Sequence, residues 1–89
     1  MRTLSRTSQF KKDVKRIKKR GKNLNKLREV IEKLASGKEL ESRYRDHILQ
    51  GQYATIRECH VEPDWLLLYK FSETELILIR TGTHADLFE

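Results

Sequence analysis

Two runs of apolar residues in the second half of the chain restrict the possible folds more than any other feature. Residues 65–71 are apolar except for Lys70, and residues 76–79 are apolar throughout. Only the polar residues 72–75 lie between them, a length that suits a hairpin loop. Strands that are apolar on both faces belong in the middle of a sheet. We therefore expect an antiparallel hairpin at the centre of a sheet that other elements cover.

The first half of the chain has the spacing of helices instead. Apolar residues recur there every three or four positions, namely Phe10, Val14 and Ile17 in one stretch and Leu24, Leu27, Ile31 and Leu34 in the next. Thr7 or Ser8 can serve as the N-cap of the first helix, and Gly21 ends it. Asn23 can cap the second helix, which stops at residues 36–37. Two short amphipathic helices with a tight connection predict an antiparallel helical hairpin.

The remaining segments complete the predicted fold. Residues 3–6 can form a short edge strand, and residues 54–61 are compatible with a strand before a turn signal at residues 62–64. Residues 38–53 are irregular, and residues 84–89 are long enough for one helical turn. The order of elements is then β-α-α-β-β-β. This is an α+β fold in which a two-helix hairpin packs on one face of an antiparallel sheet.

Length and composition exclude several classes of protein. A chain of 89 residues forms one domain, residues 1–89, with no room for a second. No apolar run approaches the ~20 residues of a membrane helix, and the amino terminus has no apolar signal-peptide core. Cys59 is the only cysteine, which excludes an intrachain disulfide and a multi-cysteine metal site. These features predict a cytoplasmic protein with no membrane partner.

Charge is divided unevenly along the chain. Residues 1–45 contain 16 Lys or Arg against 5 Asp or Glu, whereas residues 46–89 contain 3 against 8. The first half therefore has a net charge of +11 and the second half a net charge of −5. A segregated basic surface is typical of proteins that bind a polyanion, because clustered Lys and Arg attract phosphates. The alternative is that the lysines keep a small domain in solution.

Polar residues at the ends of the predicted strands indicate a site for chemistry. His60 ends one strand, and Asp64 begins the next one across a short turn. Arg80 ends the last strand, and His84 follows four residues later. In an antiparallel meander these ends meet, so we expect all four residues at one edge of the sheet. His47, from the preceding loop, can reach the same edge.

Histidines with an Asp and an Arg suit the cleavage of RNA. RNA supplies its own nucleophile, the 2′-hydroxyl, so the protein must provide a base, an acid and a cation for the phosphate. Two imidazoles and a guanidinium provide these groups without a metal. Histidine and carboxylate ligands also suit Zn²⁺, but the spacing matches no helical His-Glu-x-x-His motif, so we predict no metal and no cofactor. A basic binding module whose histidines only fill the sheet edge is the alternative to an enzyme.

Three blocks of the sequence together resemble a known family. They are residues 46–51 (DHILQG), 60–65 (HVEPDW) and 80–88 (RTGTHADLF). In this order they are closely similar to the YafQ-type toxins of the RelE/ParE superfamily of type II toxin–antitoxin systems. The similarity extends over essentially the whole chain. Ile48 stands where the family often has Pro, and residues 52–59 match less well.

The resemblance implies a function and a set of partners. It implies a RelE-like β-α-α-β-β-β fold and a ribosome-dependent mRNA interferase that cuts translated mRNA in the ribosomal A site. It implies a cognate antitoxin protein, in a complex that represses its own operon and so contacts operator DNA. The family's functional positions fall on His47, His60, Asp64, Arg80, His84 and Phe88, with Trp65 adjoining.

Each of these residues has an expected role. We expect His84 to be the general acid, and His47, or His60 assisted by Asp64, to be the base. Arg80 then stabilises the phosphate. Phe88 either stacks on a base or anchors the tail, and Trp65 is more typical of a core or rim aromatic than of a stacking platform. The residues expected to contact ribosomal RNA are Lys11, Lys15, Lys18, Lys19 and Lys22, together with Trp65.

Overall fold

The computed structural model describes residues 2–49 and 55–88 and confirms the α+β fold. The elements are β1 (Thr3–Arg6), α1 (Ser8–Lys19), α2 (Leu24–Ala35), a 3-10 helix (Ser42–Tyr44), β2 (His47–Ile48), β3 (Arg57–Glu62), β4 (Trp65–Phe71), β5 (Glu75–Gly82) and α3 (His84–Phe88). They form a five-stranded sheet in the order β1-β5-β4-β3-β2. The two apolar runs are β4 and β5, which lie inside the sheet as predicted. No helix in the described part of the chain is long and apolar enough to cross a membrane.

The sheet differs from the prediction at its two edges. β1 pairs with β5 in parallel, because no hairpin turn forces these distant segments to run in opposite directions. β2 is an additional edge strand, paired antiparallel with β3, in a segment that the sequence analysis treated as irregular. Ala54, the predicted start of the next strand, lies outside the described residues.

The helical hairpin begins and ends where the sequence predicts. The Thr7 side chain caps α1 by accepting a hydrogen bond from the N–H of Phe10, and Asn23 caps α2 in the same way. After α1, Gly21 has a φ of 82°, in the left-handed region where a side chain is disfavoured. The Lys22 N–H then donates to the Ile17 carbonyl, which closes the helix end and turns the chain sharply towards α2.

The core lies between the helical hairpin and one face of the sheet. Val30 of α2 and Tyr69 of β4 are fully buried in it, and Trp65 is only 1% exposed. The indole N–H of Trp65 donates to the Thr81 hydroxyl at 2.9 Å, so the polar atom of this large side chain is also satisfied inside. The expectation that Trp65 contacts RNA is therefore wrong, since its ring is part of the core.

α1 takes the place of a strand along the second half of β5. β1 ends at Arg6, and beyond it the Thr7 hydroxyl donates to the Ile79 carbonyl at 2.7 Å. The Asp13 carboxylate then accepts a hydrogen bond from the Thr81 N–H at 3.2 Å. Asp13 is fully buried, and it satisfies an edge donor that β1 is too short to reach.

Candidate active site

The site lies on the sheet face that the helical hairpin does not cover. The strand register places His47 beside Glu58, Glu58 beside Leu68, and Leu68 beside Arg80. His60 is two residues along β3 from Glu58, so both side chains lie on the same face. Cys59 between them belongs to the helix-covered core. Three of the predicted residues therefore share one face with a glutamate that the sequence analysis did not select.

Glu58 lies between two histidines. Its Oε1 atom is 3.3 Å from Nε2 of His60 and 3.5 Å from Nε2 of His47. Glu58 and His60 are largely buried, at 7% and 9% exposure. Glu58 could be predicted from the sequence, because it lies two residues before His60 on the same strand and such residues share a face. It was missed because it lies in the segment that resembles the family least.

Main-chain carbonyls bind the other nitrogens of these two histidines. His60 Nδ1 is 3.3 Å from the Pro63 carbonyl, and His47 Nδ1 is 2.7 Å from the Arg45 carbonyl. A carbonyl or carboxylate oxygen only accepts, so each ring faces acceptors at both nitrogens. Each ring is therefore held in place by oxygens at both nitrogens, and the Glu58 carboxylate lies between the two rings.

The segment before β2 holds His47 in place. Arg45 has a left-handed backbone with a φ of 47°, and its N–H closes the 3-10 helix on Ser42. Asp46 accepts a hydrogen bond from the Tyr69 hydroxyl and lies 3.3 Å from the Arg57 guanidinium. Burial and the Asp46 carboxylate raise the pKa of Tyr69 far above its ordinary value, so its hydroxyl keeps the proton that it donates. His47 therefore follows an anchored residue.

Asp64 is the partner of His84 rather than of His60. Its Oδ1 atom accepts hydrogen bonds from Nδ1 of His84 at 2.6 Å and from the His84 main-chain N–H at 3.1 Å. These two hydrogen bonds hold the pKa of Asp64 below its ordinary value. The prediction that Asp64 assists His60 is therefore wrong, because the start of α3 places His84 closer to it. The rings of His60 and His84 are neighbours, with 5.8 Å between their centroids.

Arg80 does not reach the edge where Asp64 lies. β5 continues to Gly82, two residues further than predicted, so Arg80 pairs with Leu68 in the middle of the sheet. Its guanidinium donates two hydrogen bonds of 3.0 Å to Asp13 on α1. Burial raises the pKa of Asp13, but hydrogen bonds from Arg80, Gln9 and Thr81 outweigh it and hold that pKa below its ordinary value. The expected convergence on one edge holds for His60, Asp64 and His84 and is wrong for Arg80.

α3 is fixed onto α1 through Asp86. Thr83 and Asp86 exchange two hydrogen bonds between side chain and backbone, which is a helix-capping arrangement. The Arg20 guanidinium binds the same carboxylate at 2.6 and 3.1 Å and holds its pKa far below the ordinary value. A side chain at Gly82 would come within 2.9 Å of Asp86. These contacts fix the helix that contains His84 and the 45% exposed Phe88.

The predicted ribosome-contacting lysines fall into two groups. Lys11, Lys15, Lys18 and Lys19 are exposed on α1, as predicted. Lys22 lies at the exit of α1, where its ammonium group binds Glu62 at 2.9 Å. Lys26 of α2 binds the other oxygen of the same carboxylate at 2.8 Å. Lys22 therefore ties the helical hairpin to the end of β3 as well as contributing charge.

His60 and His84 form, together with Glu58, a group that fits a metal ion. One ligand atom from each of Glu58, His60 and His84 lies within 4.8 Å of the other two. Two imidazoles and a carboxylate suit Zn²⁺ or Cu²⁺. The spacing of helical metal-binding motifs does not show this group, because it arises from strand alternation and the start of α3. The absence of a metal from the mechanism stays a prediction.

Comparison with known proteins identifies the family. The profile described as "Bacterial toxin of type II toxin-antitoxin system, YafQ" matches residues 2–89. The chain is 44% identical over 88 residues to the mRNA interferase toxin YafQ of Escherichia coli K12, which covers 98% of this chain and 96% of that protein. YafQ in the E. coli DinJ–YafQ complex is similar with a TM-score of 0.93 at 43% identity, covering 100% of both chains. A metal-bound toxin from Helicobacter pylori is similar with a TM-score of 0.93 at 40% identity, covering 99% of this chain and 100% of that one. The chain therefore belongs to the YafQ family of bacterial toxins of type II toxin–antitoxin systems.

Proposed function

We propose that this toxin is an mRNA interferase, a ribosome-dependent endoribonuclease that cuts translated mRNA in the ribosomal A site and so stops translation. Its relative in E. coli is named as an mRNA interferase toxin at 44% identity. The observation that supports the activity most directly is the group formed by Glu58, His60 and His84, whose polar atoms lie within 4.8 Å. This group offers both a proton acceptor and a proton donor to one phosphodiester.

The reaction is a transfer within the RNA. The 2′-hydroxyl oxygen forms a bond to the neighbouring phosphorus while the bond from phosphorus to the 5′-oxygen breaks. A base takes the 2′-hydroxyl proton, and an acid gives one to the departing 5′-oxygen. The products are a 2′,3′-cyclic phosphate and a 5′-hydroxyl, so protons and bonds balance without a co-reactant.

We assign the acid to His84 and the base to Glu58. Asp64 accepts a hydrogen bond from Nδ1 of His84 and orients the ring, so Nε2 is the nitrogen left to donate to the leaving oxygen. Glu58 lies between His47 and His60 on the open face of the sheet, where its carboxylate can take the 2′-hydroxyl proton. His47 or His60, the bases expected from the sequence, is the alternative to Glu58.

Hydrogen-bond donors of the site stabilise the phosphate. The His60 ring lies directly beside Glu58 and His84, where charge develops as the phosphorus becomes five-coordinate. Arg80 lies in the same cross-strand row as Glu58, and its guanidinium is 28% exposed in the ion pair with Asp13. Phe88 on α3 is exposed beside this face and is suited to stack on a base.

Binding to the ribosome is assigned to α1. Lys11, Lys15, Lys18 and Lys19 form an exposed basic surface on this helix, away from the sheet face that contains the site. Such a surface neutralises the phosphates of ribosomal RNA and releases counterions. The cationic docking surface and the acid–base site are thus separate parts of one small domain.

The proposed regulation follows the relatives. The E. coli relative YafQ forms a toxin–antitoxin complex with DinJ. We propose that a cognate antitoxin binds this chain in the cytoplasm, and that operator DNA is contacted only by the complex of the two. No membrane partner is proposed.

A basic module without catalysis is the second candidate, since the net charge of +6 alone would support it. Primer extension on a translated message after induction separates the two. Breaks at a fixed codon phase, abolished by His84→Ala while circular dichroism is unchanged, are expected for the nuclease. If the wild type and His84→Ala inhibit translation equally and the message shows no breaks, the protein is the binding module instead.

A further inference from the structure

We propose that the cleft beside His60 binds one nucleotide of the RNA substrate, next to the scissile phosphate. This inference rests on the proposed nuclease function and adds a subsite to it. The cleft has a volume of about 440 Å³ and lies between α2, the 3-10 helix and the turn that joins β3 to β4. Its size is that of a small-ligand site, and it accommodates a single nucleotide.

The cleft borders the candidate active site through two residues. His60 lines the cleft, and its Nε2 atom faces Glu58 at 3.3 Å. Arg45 also lines the cleft, and its carbonyl binds the ring of His47 at 2.7 Å. An RNA strand whose reacting phosphate lies between His60 and His84 therefore has a neighbouring nucleotide at the cleft.

Cationic side chains whose charges are not fully neutralised by nearby carboxylates surround the cleft. Arg45 is exposed, and no carboxylate of residues 2–49 or 55–88 lies within 4.0 Å of its guanidinium. The Arg43 side chain is 68% exposed, lies 3.4 Å from Glu41 in a contact that water screens, and donates a hydrogen bond to the Tyr44 hydroxyl at 2.9 Å. Its remaining N–H groups can bind a phosphate. At the opposite wall, Lys26 shares the single carboxylate of Glu62 with a second lysine. Guanidinium groups bind phosphate through paired N–H donors, so the arginine side of the cleft suits a phosphate.

The remaining lining fits a nucleotide better than a protein side chain. Tyr44 and Val61 are buried in the core, at 7% and 8% exposure, so they offer little apolar surface to an anchoring residue. Glu29 lines the α2 side, and its carboxylate is suited to accept a hydrogen bond from the amino group of a base. The cleft thus combines phosphate donors at one side with a base acceptor at the other.

Photocrosslinking on programmed bacterial ribosomes tests the placement. The mRNA contains a 2′-deoxynucleotide at the cleavage position, which removes the nucleophile, and 4-thiouridine at the nucleotide on either side. We expect one of the two to crosslink to the peptide that contains Arg43 and Arg45 or to the one that contains Pro63. Crosslinks confined to other peptides would place the flanking nucleotides elsewhere and overturn the inference.

Kinetics with charge-matched variants test the energetic contribution. The double variant Arg43→Gln, Arg45→Gln should need about tenfold more toxin for half-maximal single-turnover cleavage, since each loss removes a charged hydrogen bond. The maximal rate should change much less, because neither side chain touches the reacting atoms. The matched control is the double variant Arg6→Gln, Lys70→Gln, which also removes two positive charges, from exposed positions on β1 and β4. Circular dichroism checks the fold of each variant.

The outcomes separate this inference from the proposed function. If the wild type does not cleave mRNA on ribosomes, the nuclease function fails. If the wild type cleaves and the Arg43 and Arg45 double variant has the same half-maximal concentration, the subsite alone fails. If that variant cleaves normally but loses affinity for the antitoxin, the cleft belongs to the antitoxin interface and the subsite is again wrong.

Discussion

One oxygen of Asp64 accepts two hydrogen bonds from His84, at 2.6 Å from the ring Nδ1 and at 3.1 Å from the main-chain N–H. The contact therefore fixes both the ring and the first residue of α3. It also holds the pKa of Asp64 below its ordinary value of 3.8, so the carboxylate is ionised throughout the physiological range. The carboxylate therefore fixes the position and orientation of the ring that we assign as the general acid.

His84→Ala should slow single-turnover cleavage by about a hundredfold or more, the usual scale of general acid–base catalysis. The substitution removes a proton donor that acts in the transition state, so binding to ribosomes should change little. Asp64→Asn should have a smaller effect, because the amide can still accept a hydrogen bond from His84 but holds the ring less firmly than the carboxylate does. A single-turnover time course on programmed ribosomes measures both effects. Wild-type rates in folded His84→Ala would remove His84 from the mechanism.

Glu58→Gln should slow cleavage by about a hundredfold or more, since the amide accepts no proton at neutral pH. The change preserves size and tests charge and basicity alone. Glu73→Gln in the exposed loop between β4 and β5 is the matched control and should cleave at the wild-type rate. If Glu58→Gln stays active while His60→Ala or His47→Ala does not, the base is an imidazole, as the sequence analysis expected.

Asp13→Asn should lower the free energy of unfolding by about 2–3 kcal/mol at neutral pH. Breaking a buried ion pair costs about 3–5 kcal/mol, and water near the partly exposed Arg80 reduces that cost. The folded-state pKa of Asp13 lies below 3.8, so its stabilising effect is present above the unfolded-state pKa and lost as pH falls through the folded value. The difference in free energy of unfolding between the wild type and Asp13→Asn should therefore become smaller below about pH 4. Urea unfolding at several pH values measures it, and a constant difference would contradict the assignment.

Local signals explain why most of the fold was predictable. Thr7 and Asn23 are short-range caps, and the apolar spacing of α1 and α2 repeats over several turns. β4 and β5 are long apolar runs joined by a short loop. β2 was missed because His47 and Ile48 are too few to show a pattern, and only pairing with β3 makes them a strand.

The site was less predictable because its partners are distant in sequence. Thr81 and Gly82 resemble turn residues, so β5 was ended too early and Arg80 was placed at the wrong edge. Nothing near Arg80 in the sequence indicates that Asp13, in another element, binds it. Asp64 was matched to His60 by proximity across the turn, whereas α3 brings His84 to it. The sequence indicates which residue types suit the chemistry of the site. Which of them contact one another depends on the register of the strands and on the position of α3, and these are set by residues distant in sequence.

Reversing Lys11, Lys15 and Lys18 to Glu together should weaken ribosome association strongly while the fold persists. These side chains are exposed on α1 and bind no carboxylate among the described residues. The salt dependence of binding should become shallower, because fewer phosphates are neutralised. Co-sedimentation with ribosomes at several salt concentrations measures this. Lys70→Glu, on the exposed end of β4, is the control, and unchanged association of the triple variant would remove α1 from the docking surface.

Cleavage should survive chelation that strips Zn²⁺, provided that the Mg²⁺ that holds ribosomes together is kept. The proposed proton transfers use Glu58 and His84 and need no Lewis acid. Added Zn²⁺ should instead inhibit, because Glu58, His60 and His84 offer ligand atoms within 4.8 Å and a bound ion would occupy both the base and the acid. A thermal shift on adding Zn²⁺ that is lost in His84→Ala would identify the ligands independently of activity. Loss of cleavage on chelation, restored by one equivalent of Zn²⁺ per chain, would show that the metal is part of the mechanism.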